Sequence, residues 1–389
     1  MIINDKRALA YIAVIEEIKE IPGYDRVEHA RIGAGWWVIV SKNDNFNVGD
    51  KCVYFEVDSK VPSSDTRFAF LENRNYKIKT LKMCKVYSQG LIMPLSAFPE
   101  FESLDVHTDV TDKLKVTYAV EEDNARKNFD PDAKYKSMTA RHKNIFKKPW
   151  ARWMRRRSWG RKVMFFFFSK KKDKPLAFPT KFPFIHKTDE ERCENMPWVL
   201  GYERPLVVTE KLDGTSSTYI LEKSGRKYEF YVLSRNVRQK DEKQDCYHDH
   251  NIYWDMAFKY DIEKHLKDYL DENHLDYVCI QGESVGSVQG NPLKLKEDDL
   301  YVFNFIRSDK GRIPSVDGRN IVESWGMKWV PILDENYHVP SDMEEFKLYA
   351  EAKSVVNPNV DREGVVLRDP TNDFSFKNVS RKYLLKHNG

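Results

Sequence analysis

The chain has 389 residues, which is enough for two or three domains that each bury a hydrophobic core. Hydrophobic residues make up 41% of it and aromatic residues 13%, a composition that excludes an intrinsically disordered protein. The formal net charge of +4 conceals an uneven distribution, because residues 134–174 contain 16 lysines and arginines and a single acid, Asp173. Such a basic segment favours a polyanionic partner.

Cysteines and apolar runs bear on the compartment. The five cysteines are odd in number and form no Cys-x-x-Cys pair, which argues against a disulfide framework and predicts an intracellular, reducing compartment of unspecified organelle. The start of the chain lacks the layout of a signal peptide. The longest apolar run, residues 163–168, is far shorter than the roughly 20 residues that span a bilayer. We therefore expect a soluble protein without a membrane partner.

Residues 1–114 have the pattern of a small β-barrel. Residues 10–18, 35–40 and 51–57 are rich in β-branched and aromatic residues and are separated by turn signals. Residues 76–82 alternate a basic face with a mostly apolar face. About five short strands in such a length predict an oligonucleotide-binding (OB) type barrel, although other small barrels satisfy the same pattern.

Residues 115–181 are predicted to be a connector that carries the basic segment. Aromatic residues, among them Trp150, Trp153 and Trp159, are interleaved with its cations. Cations that neutralise phosphates, beside rings that stack on bases, are what a nucleic-acid surface requires, so we expect residues 134–174 to contact nucleic acid. Two alternatives stay open, a solvated linker and an amphipathic segment lying on a membrane surface.

From residue 182 to residue 389 the pattern becomes mixed α/β. A helix is predicted over residues 252–270. The predicted strands are residues 206–209, 229–234, 277–280 and 300–306. The chain as a whole is therefore expected to be α+β, with an OB-type barrel followed by a mixed α/β domain.

The segment Glu210-Lys211-Leu212-Asp213-Gly214-Thr215 directly follows an apolar strand. A lysine at such a strand-to-loop junction can attack phosphorus once its amine is neutral, although its reference pKa is about 10.4. Burial and neighbouring cations are expected to lower that pKa. Gly214 would let the backbone approach phosphates closely. Taken alone, Lys-x-Asp-Gly is a weak signal, because all three residue types are common.

Five further segments follow in order, each at the end of a predicted strand. They are Ser234-Arg235-Asn236, Gln281-Gly282-Glu283, residues 300–305, residues 362–368 and residues 375–378. With the Lys211 segment they resemble motifs I, Ia, III, IIIa, IV and V of the covalent nucleotidyltransferases, which include DNA ligases, RNA ligases and mRNA capping enzymes. Six matches in this order predict an enzyme that forms a covalent lysyl-nucleotide.

The order of the domains separates these families. In DNA ligases and capping enzymes an OB domain follows the nucleotidyltransferase domain, whereas only three residues follow Lys386 here and the predicted barrel comes first. That order is similar to the ATP-dependent RNA ligases of the Naegleria/Deinococcus type, and the likeness extends to residues 88–94 and 184–192. The resemblance implies a nucleotidyltransferase (adenylation) domain of ATP-grasp-like ligase fold over residues 182–389.

This resemblance implies ATP-dependent joining of RNA ends, in RNA repair. Lys211 would attack the α-phosphate of ATP and become lysyl-AMP; the AMP would pass to the 5′-phosphate of a nicked or splinted RNA duplex, and a 3′-hydroxyl would then displace it. Mg²⁺ or Mn²⁺ would assist these transfers, and the barrel would grip the nucleic acid. The rival interpretations are a DNA ligase, a GTP-dependent capping-type enzyme, and a non-catalytic nucleic-acid-binding relic.

The resemblance also assigns the phosphate and metal contacts. Lys377 would neutralise the α-phosphate, and Glu363 would hold the divalent metal, chiefly through water as Mg²⁺ prefers. Asp213 would orient Lys211 or organise the water shell of the metal. Related ligases often carry a second motif V cation, which is missing beside Lys377. Two nearby cations could replace it, Arg381 and Lys382.

The nucleoside contacts are assigned in the same way. Arg235 and Glu283 would address the ribose, and Glu210 would offer backbone groups to the adenine. Arg192 would contact the pyrophosphate. The base-stacking position corresponds to Leu300, and Phe303 would support the adenine from the core.

Overall fold

The computed structural model describes residues 2–3, 6–119, 145, 147–155, 157, 159–160, 163–164, 167, 176–239, 251–371 and 374–387. The strands before residue 120 are β1 (Ile2–Ile3), β2 (Lys6–Arg7), β3 (Ala10–Glu20), β4 (Val27–Ile32), β5 (Trp36–Ser41), β6 (Lys51–Phe55), β7 (Ser59–Lys60), β8 (Lys77–Ile78), β9 (Leu81–Met83), β10 (Val86–Ser88), β11 (Leu91–Pro94) and β12 (Thr117–Tyr118).

One long strand, β3, organises the N-terminal barrel. Its first half pairs antiparallel with β6 and its second half with β4, in the sheet order β11-β6-β3-β4-β5. The register shifts between Ile15 and Glu17, and a bulge of this kind bends a strand and increases its twist. The bend lets one strand serve two halves of a curved sheet.

A smaller sheet, β12-β7-β8, closes one end of the barrel. Asp58, which precedes β7, has a left-handed φ of 63° and donates its N–H to Ile78 O at 2.8 Å. The sheet extends to Tyr118, a few residues beyond the predicted end of the barrel at residue 114. This small sheet places Asp58, Lys77 and Lys79 on the side of the barrel that faces the C-terminal domain.

The barrel and the C-terminal domain share one hydrophobic core. Trp36 and Val38 of β5 belong to the same buried cluster as Cys193, Phe346 and Phe376 of the later domain. Burial of such side chains stabilises by about 1.5–3 kcal/mol each, so the contact between the two domains is a substantial part of the fold. The position of the barrel relative to the second domain is therefore set by packing.

The C-terminal domain begins with the edge strand of its larger sheet. Its strands are β13 (Leu176–Ala177), β14 (Glu191–Arg192), β15 (Leu206–Lys211), β16 (Thr215–Ser224), β17 (Lys227–Ser234), β18 (Val237–Gln239), β19 (Tyr277–Val285), β20 (Asp299–Arg307), β21 (Gly311–Arg312), β22 (Lys328–Trp329), β23 (Ile332–Tyr337), β24 (Gly364–Arg368) and β25 (Ser375–Val379). The α-helices of the described residues are α1 (Pro149–Arg155), α2 (Ile252–Lys259), α3 (Ile262–Glu272), α4 (Ser315–Ser324), α5 (Met343–Tyr349) and α6 (Arg381–His387).

Two sheets form this domain. An eight-stranded sheet has the order β13-β18-β17-β16-β19-β20-β21 with β22 beside β20, and a five-stranded sheet has the order β14-β25-β24-β15-β23. β15 belongs to the smaller sheet and β16 to the larger one, so residues 212–214 carry the chain from one sheet to the other. Lys211 stands at this junction.

Helices cover the larger sheet on one side. The predicted helix over residues 252–270 is two helices, α2 and α3, separated at Asp261, whose φ of 45° is left-handed and cannot continue a helix. Ile262, Leu266 and Leu270, spaced by four residues along α3, are buried in the main core with β16 and β19. This packing fixes the strands that reach the site.

Most of the predicted connector, including much of the basic segment 134–174, lies outside the described residues. In the part described, α1 exposes Trp150 and Trp153, and the Arg157 guanidinium lies 4.1 Å from the ring centroid of Trp153. Within the same limits, no helix is long and apolar enough to cross a membrane.

Candidate active site

A cavity of about 730 Å³ lies where the two sheets of the C-terminal domain meet the small sheet of the barrel. The predicted site residues that line it are Arg192, Glu210, Lys211, Asp213, Gly214, Arg235, Glu283, Phe303, Glu363 and Lys377. Leu300, the residue assigned to base stacking, does not line it. The fold thus gathers residues from seven separate stretches of sequence around one space.

Lys211 is the last residue of β15. Its Nζ lies 2.7 Å from Glu363 Oε1. Burial lowers the pKa of the amine, but the carboxylates of Glu363 and Glu283 raise it more, so the pKa lies above its ordinary value. The expected lowering of this pKa is therefore wrong, because the nearest charged neighbours of the amine are acids. A cation placed near these acids would favour loss of the proton from the amine.

The turn after Lys211 is packed tightly against β19. A Cβ on Gly214 would lie 2.3 Å from the carbonyl oxygen of Ser284, so only glycine fits at this position. Asp213 accepts a hydrogen bond from the Tyr383 hydroxyl of α6. The C-terminal helix therefore holds the turn that carries the nucleophile.

Glu363 lies directly before β24, opposite the end of β15. One carboxylate oxygen pairs with Lys211, while the other, Oε2, is buried and has no hydrogen-bond partner. Burial raises the pKa of this carboxyl against the opposing pull of Lys211. An unpaired buried carboxylate oxygen fits a divalent cation. Among the described residues no cluster of three or more potential ligands is preassembled, so such an ion would take most of its ligands from water and substrate.

Glu283 faces the same space from β19, paired across the sheet with Ser216 of β16. Burial raises the pKa of its carboxyl to about 8, with the attraction of Lys211 opposed by Glu363 and Asp213. Glu283 therefore holds a proton to higher pH than an exposed glutamate does. Its oxygens can accept a hydrogen bond from a hydroxyl group whether or not it is protonated.

Arg235 and Lys377 meet at one acid that the motifs did not single out. Asp189 lies 2.6 Å from Arg235 Nη2 and 3.3 Å from Lys377 Nζ. Asp189 and Arg235 are both more than half exposed, so this network is worth little to stability. The network shows instead that Arg235 and Lys377 lie close enough together to bind one negatively charged group.

The two residues expected to replace the second motif V cation do not reach the cavity. Arg381 is buried and donates to Glu344 and Glu351 at 2.6 Å each. Lys382 lies 3.9 Å from Glu351. Arg381 is thus buried against α5 and the residues that follow it, and Lys382 is half-exposed near the same acid. Arg368 of β24 lines the cavity and lies 3.3 Å from Glu190.

Arg192 lies in the cavity wall but is bound by the barrel. Its guanidinium forms an ion pair with Asp58, and its backbone stands in parallel register with Lys377. Burial lowers the pKa of Arg192, but Glu194 and Asp58 raise it more, so it stays charged. The arginine predicted to meet pyrophosphate is thus also the tie between the barrel and β25.

Glu210 is buried beneath the cavity. Its Oε2 accepts from the Val355 N–H at 2.8 Å, Oε1 has no hydrogen-bond partner, and burial raises its pKa. Its backbone N–H donates to Pro331 O at 2.9 Å. Of the backbone groups predicted to meet the adenine, the N–H of Glu210 is therefore already bonded within the protein.

The positions assigned to Leu300 and Phe303 are exchanged. Leu300 is fully buried in the core opposite Ser284, whereas the Phe303 ring is half-buried and lines the cavity. Residues three apart on a strand point to opposite faces, so only one of them can reach the cavity. Val330 and Val366 add further apolar surface to its wall. Leu300 therefore cannot contact a molecule in this cavity, whereas Phe303 can.

Several residues that reach this cavity were given no role in the sequence analysis, although some of them lie in segments that it singled out. They are Lys77, Lys79, Tyr118, Asp189, Val330, Val366, Arg368 and Tyr383. The alternating basic face of residues 76–82 was the available signal for the two lysines, but nothing in the sequence indicated what that face approaches.

A lysine at the end of a strand, ion-paired to a buried glutamate in a cavity between two sheets, defines the chain as a covalent nucleotidyltransferase. Two family models match it: one described as an OB-fold domain over residues 9–95 and one described as RNA ligase over residues 204–384. The chain therefore carries an OB-fold domain followed by an RNA ligase domain. No curated protein matches the sequence.

Solved structures support the same assignment over almost the whole chain. A mutant of Naegleria gruberi RNA ligase with AMP and Mn is 27% identical, with 98% of this chain and 99% of that chain covered and a TM-score of 0.65. The same ligase with PPi is 27% identical, with the same coverage and a TM-score of 0.62. A further mutant with ATP and Mn is 26% identical, with a TM-score of 0.64. The expected OB barrel, mixed second domain and RNA ligase family are confirmed.

Proposed function

We propose that this ATP-dependent RNA ligase joins a 3′-hydroxyl to a 5′-phosphate through lysyl-AMP at Lys211. The observation that carries the proposal is the 2.7 Å pair of Lys211 with Glu363, whose second oxygen is buried and unpaired. The Naegleria complexes with ATP, AMP, PPi and Mn support ATP and a divalent metal as the requirements of the chain.

The first transfer forms the Lys211 Nζ–phosphorus bond and breaks the bond to pyrophosphate, and the attacking amine loses a proton to water. Glu363 would hold a divalent cation, whose positive charge would favour the neutral amine and offset the charge developing on the α-phosphate. Glu363 holds the amine in place, Lys377 faces the phosphate, and Gly214 leaves room for it. Phosphoryl transfer depends mainly on such positioning and charge neutralisation, so these groups suffice for the step.

The next two transfers take place on the RNA ends. An oxygen of the RNA 5′-phosphate forms a bond to the AMP phosphorus as the bond to Lys211 breaks. The 3′-hydroxyl oxygen then bonds to that 5′-phosphate while AMP leaves and the hydroxyl proton is lost. The test is sealing of nicked duplexes that differ only in the sugar at the 3′-hydroxyl. Faster sealing with ribose supports the proposal, and preference for deoxyribose would favour a DNA ligase.

Phe303 provides a test of the base site. Its half-buried ring lies in the apolar wall of the cavity, and stacking of a base on an aromatic ring contributes about 1–3 kcal/mol. Phe303→Ala should therefore weaken ATP binding roughly 5- to 150-fold, while Phe303→Tyr should retain it. Phe258→Ala, on an exposed phenylalanine of α2, is the control. An unchanged KM for ATP in Phe303→Ala would contradict a role for this ring in binding the base.

The connector is proposed as a second, outer nucleic-acid surface. Its support is the excess of cations over residues 134–174 together with the exposed Trp150 and Trp153. Replacing Arg155, Arg156 and Arg157 with alanine should weaken RNA binding and reduce its salt dependence, while lysyl-AMP formation continues. Unchanged RNA binding in titrations at two salt concentrations would instead indicate that the segment is a solvated linker.

A further inference from the structure

A second cavity opens beside the active site. Its volume is about 440 Å³, and it shares Asp58, Lys77, Lys79 and Leu384 with the wall of the first cavity. Because the shared residues lie at the border of both, the two spaces adjoin. The second cavity leads away from Lys211 between the barrel and α6.

The two walls of this groove differ in chemistry. The barrel side carries Arg74, Lys77 and Lys79, and the α6 side carries Leu384 and Leu385. Asp58 is the one acidic side chain that the described part of the chain contributes to the wall, and its carboxylate is paired with Arg192. The groove is therefore cationic on one wall and apolar on the other.

The fold fixes the positions of Lys77 and Lys79 relative to the active site. β8 pairs with β7, with Lys77 opposite Lys60, and the neighbouring Ile78 carbonyl accepts from the Asp58 N–H. Asp58 in turn binds Arg192, whose backbone pairs with Lys377. A chain of backbone and ionic contacts thus connects the barrel lysines to the strand that carries the predicted α-phosphate lysine.

We propose that this groove binds the phosphates of the RNA strand whose end is at Lys211, with Lys77 and Lys79 as phosphate contacts. The inference rests on the proposed function and extends it. A polymer with its end at Lys211 must leave the first cavity, and the adjoining groove offers cations for its phosphates and leucines for its apolar edges. ATP with its α-phosphorus at Lys211 occupies the first cavity. Its β- and γ-phosphates are the alternative partners for Lys77 and Lys79, which line both cavities.

The experiment separates the two phosphate sources. Full-length Lys77→Ala/Lys79→Ala protein is compared with Lys51→Ala/Lys113→Ala, which changes two exposed barrel lysines outside both cavities, and with Lys77→Arg/Lys79→Arg. Single-turnover rates are measured for lysyl-AMP formation from ATP. They are measured separately for transfer from purified lysyl-AMP protein to a nicked duplex with a ribose 3′-hydroxyl. Binding of 5′-phosphorylated RNA is titrated against salt.

The proposal predicts lysyl-AMP formation within about twofold of wild type and transfer to RNA slowed about tenfold or more in the double alanine variant. The slope of log affinity against log salt should become shallower by about 1 to 2, because two phosphate contacts are lost. The control variant should match wild type. The double arginine variant should retain binding, because phosphate contacts need charge rather than a particular side chain.

Three outcomes would overturn the proposal. Slower lysyl-AMP formation with normal transfer to RNA would assign the lysines to the β- and γ-phosphates of ATP. Unchanged rates and RNA binding would leave them without either role. Equal losses in the barrel control would show a diffuse charge effect. If wild-type protein itself forms no lysyl-AMP, the proposed function fails instead, and the binding titration still decides whether the groove holds RNA.

Discussion

Lys211→Arg should lose lysyl-AMP formation by about 10⁴-fold or more while the protein stays folded. Arginine keeps the positive charge that Glu363 faces at 2.7 Å, so the ion pair can persist. Its guanidinium cannot lose a proton in proteins, so it cannot become the nucleophile. The measurement is the single-turnover rate of covalent labelling with radioactive ATP.

The matched control for this change is Lys223→Arg. Lys223 is also a strand lysine, and its Nζ is ion-paired to Asp271 at 2.6 Å, but it lies at the far end of β16 outside the cavity. It should label like wild type. Residual labelling of Lys211→Arg above about one per cent of the wild-type rate would place the nucleophile on another residue.

Glu363→Gln should slow lysyl-AMP formation by about 100- to 1,000-fold. Glutamine has nearly the same shape, but it lacks the negative charge of the unpaired, buried oxygen that we propose as a ligand of the divalent cation. Loss of this charge also removes the main influence that raises the pKa of Lys211, so the amine becomes easier to deprotonate. Slower reaction would therefore report loss of metal binding and not a more protonated lysine.

Metal titration separates this cause from damage to the fold. If Glu363 holds the cation, a higher concentration of Mn²⁺ should restore part of the Glu363→Gln rate, and thermal unfolding should be little changed. Glu335→Gln, which affects an exposed partner of Arg319, is the control. Activity equal to or above wild type would contradict a metal role and leave Glu363 as a mere counter-ion of Lys211.

Four of the predicted site residues lie on or beside strands that border the cavity: Lys211, Glu283, Glu363 and Lys377. Lys211 ends β15 and Glu363 directly precedes its antiparallel partner β24, whereas Glu283 and Lys377 lie within β19 and β25. Such strands can be predicted from local patterns of apolar residues and turns. The positions of these residues around a cavity were therefore accessible without the structure.

The face of β20 that lines the cavity could not be predicted in this way. Leu300 and Phe303 differ in the face of β20 on which they lie, and an apolar strand buried on both faces gives no alternation to show which face is which. A register shift between Gln281 and Gly282 on the partner strand further alters the pairing. Motif spacing alone cannot detect either effect.

Contacts between distant segments account for the remaining differences. Arg192 is paired with Asp58, which is 134 residues away in the sequence. Lys211 faces two glutamates that raise its pKa, although it was expected to face cations that lower it. In both cases the residue type was visible in the sequence, but its partner depended on how the barrel and the two sheets pack together.

Covalent labelling by nucleotide is the most direct test of the central claim. Wild-type protein is incubated with Mg²⁺ and either α-labelled ATP or α-labelled GTP, and the adduct is digested and mapped by mass spectrometry. We expect an acid-labile AMP adduct on Lys211 from ATP and no adduct from GTP. Label from GTP, an adduct on another residue, or no adduct from either nucleotide would contradict the proposed lysyl-AMP at Lys211.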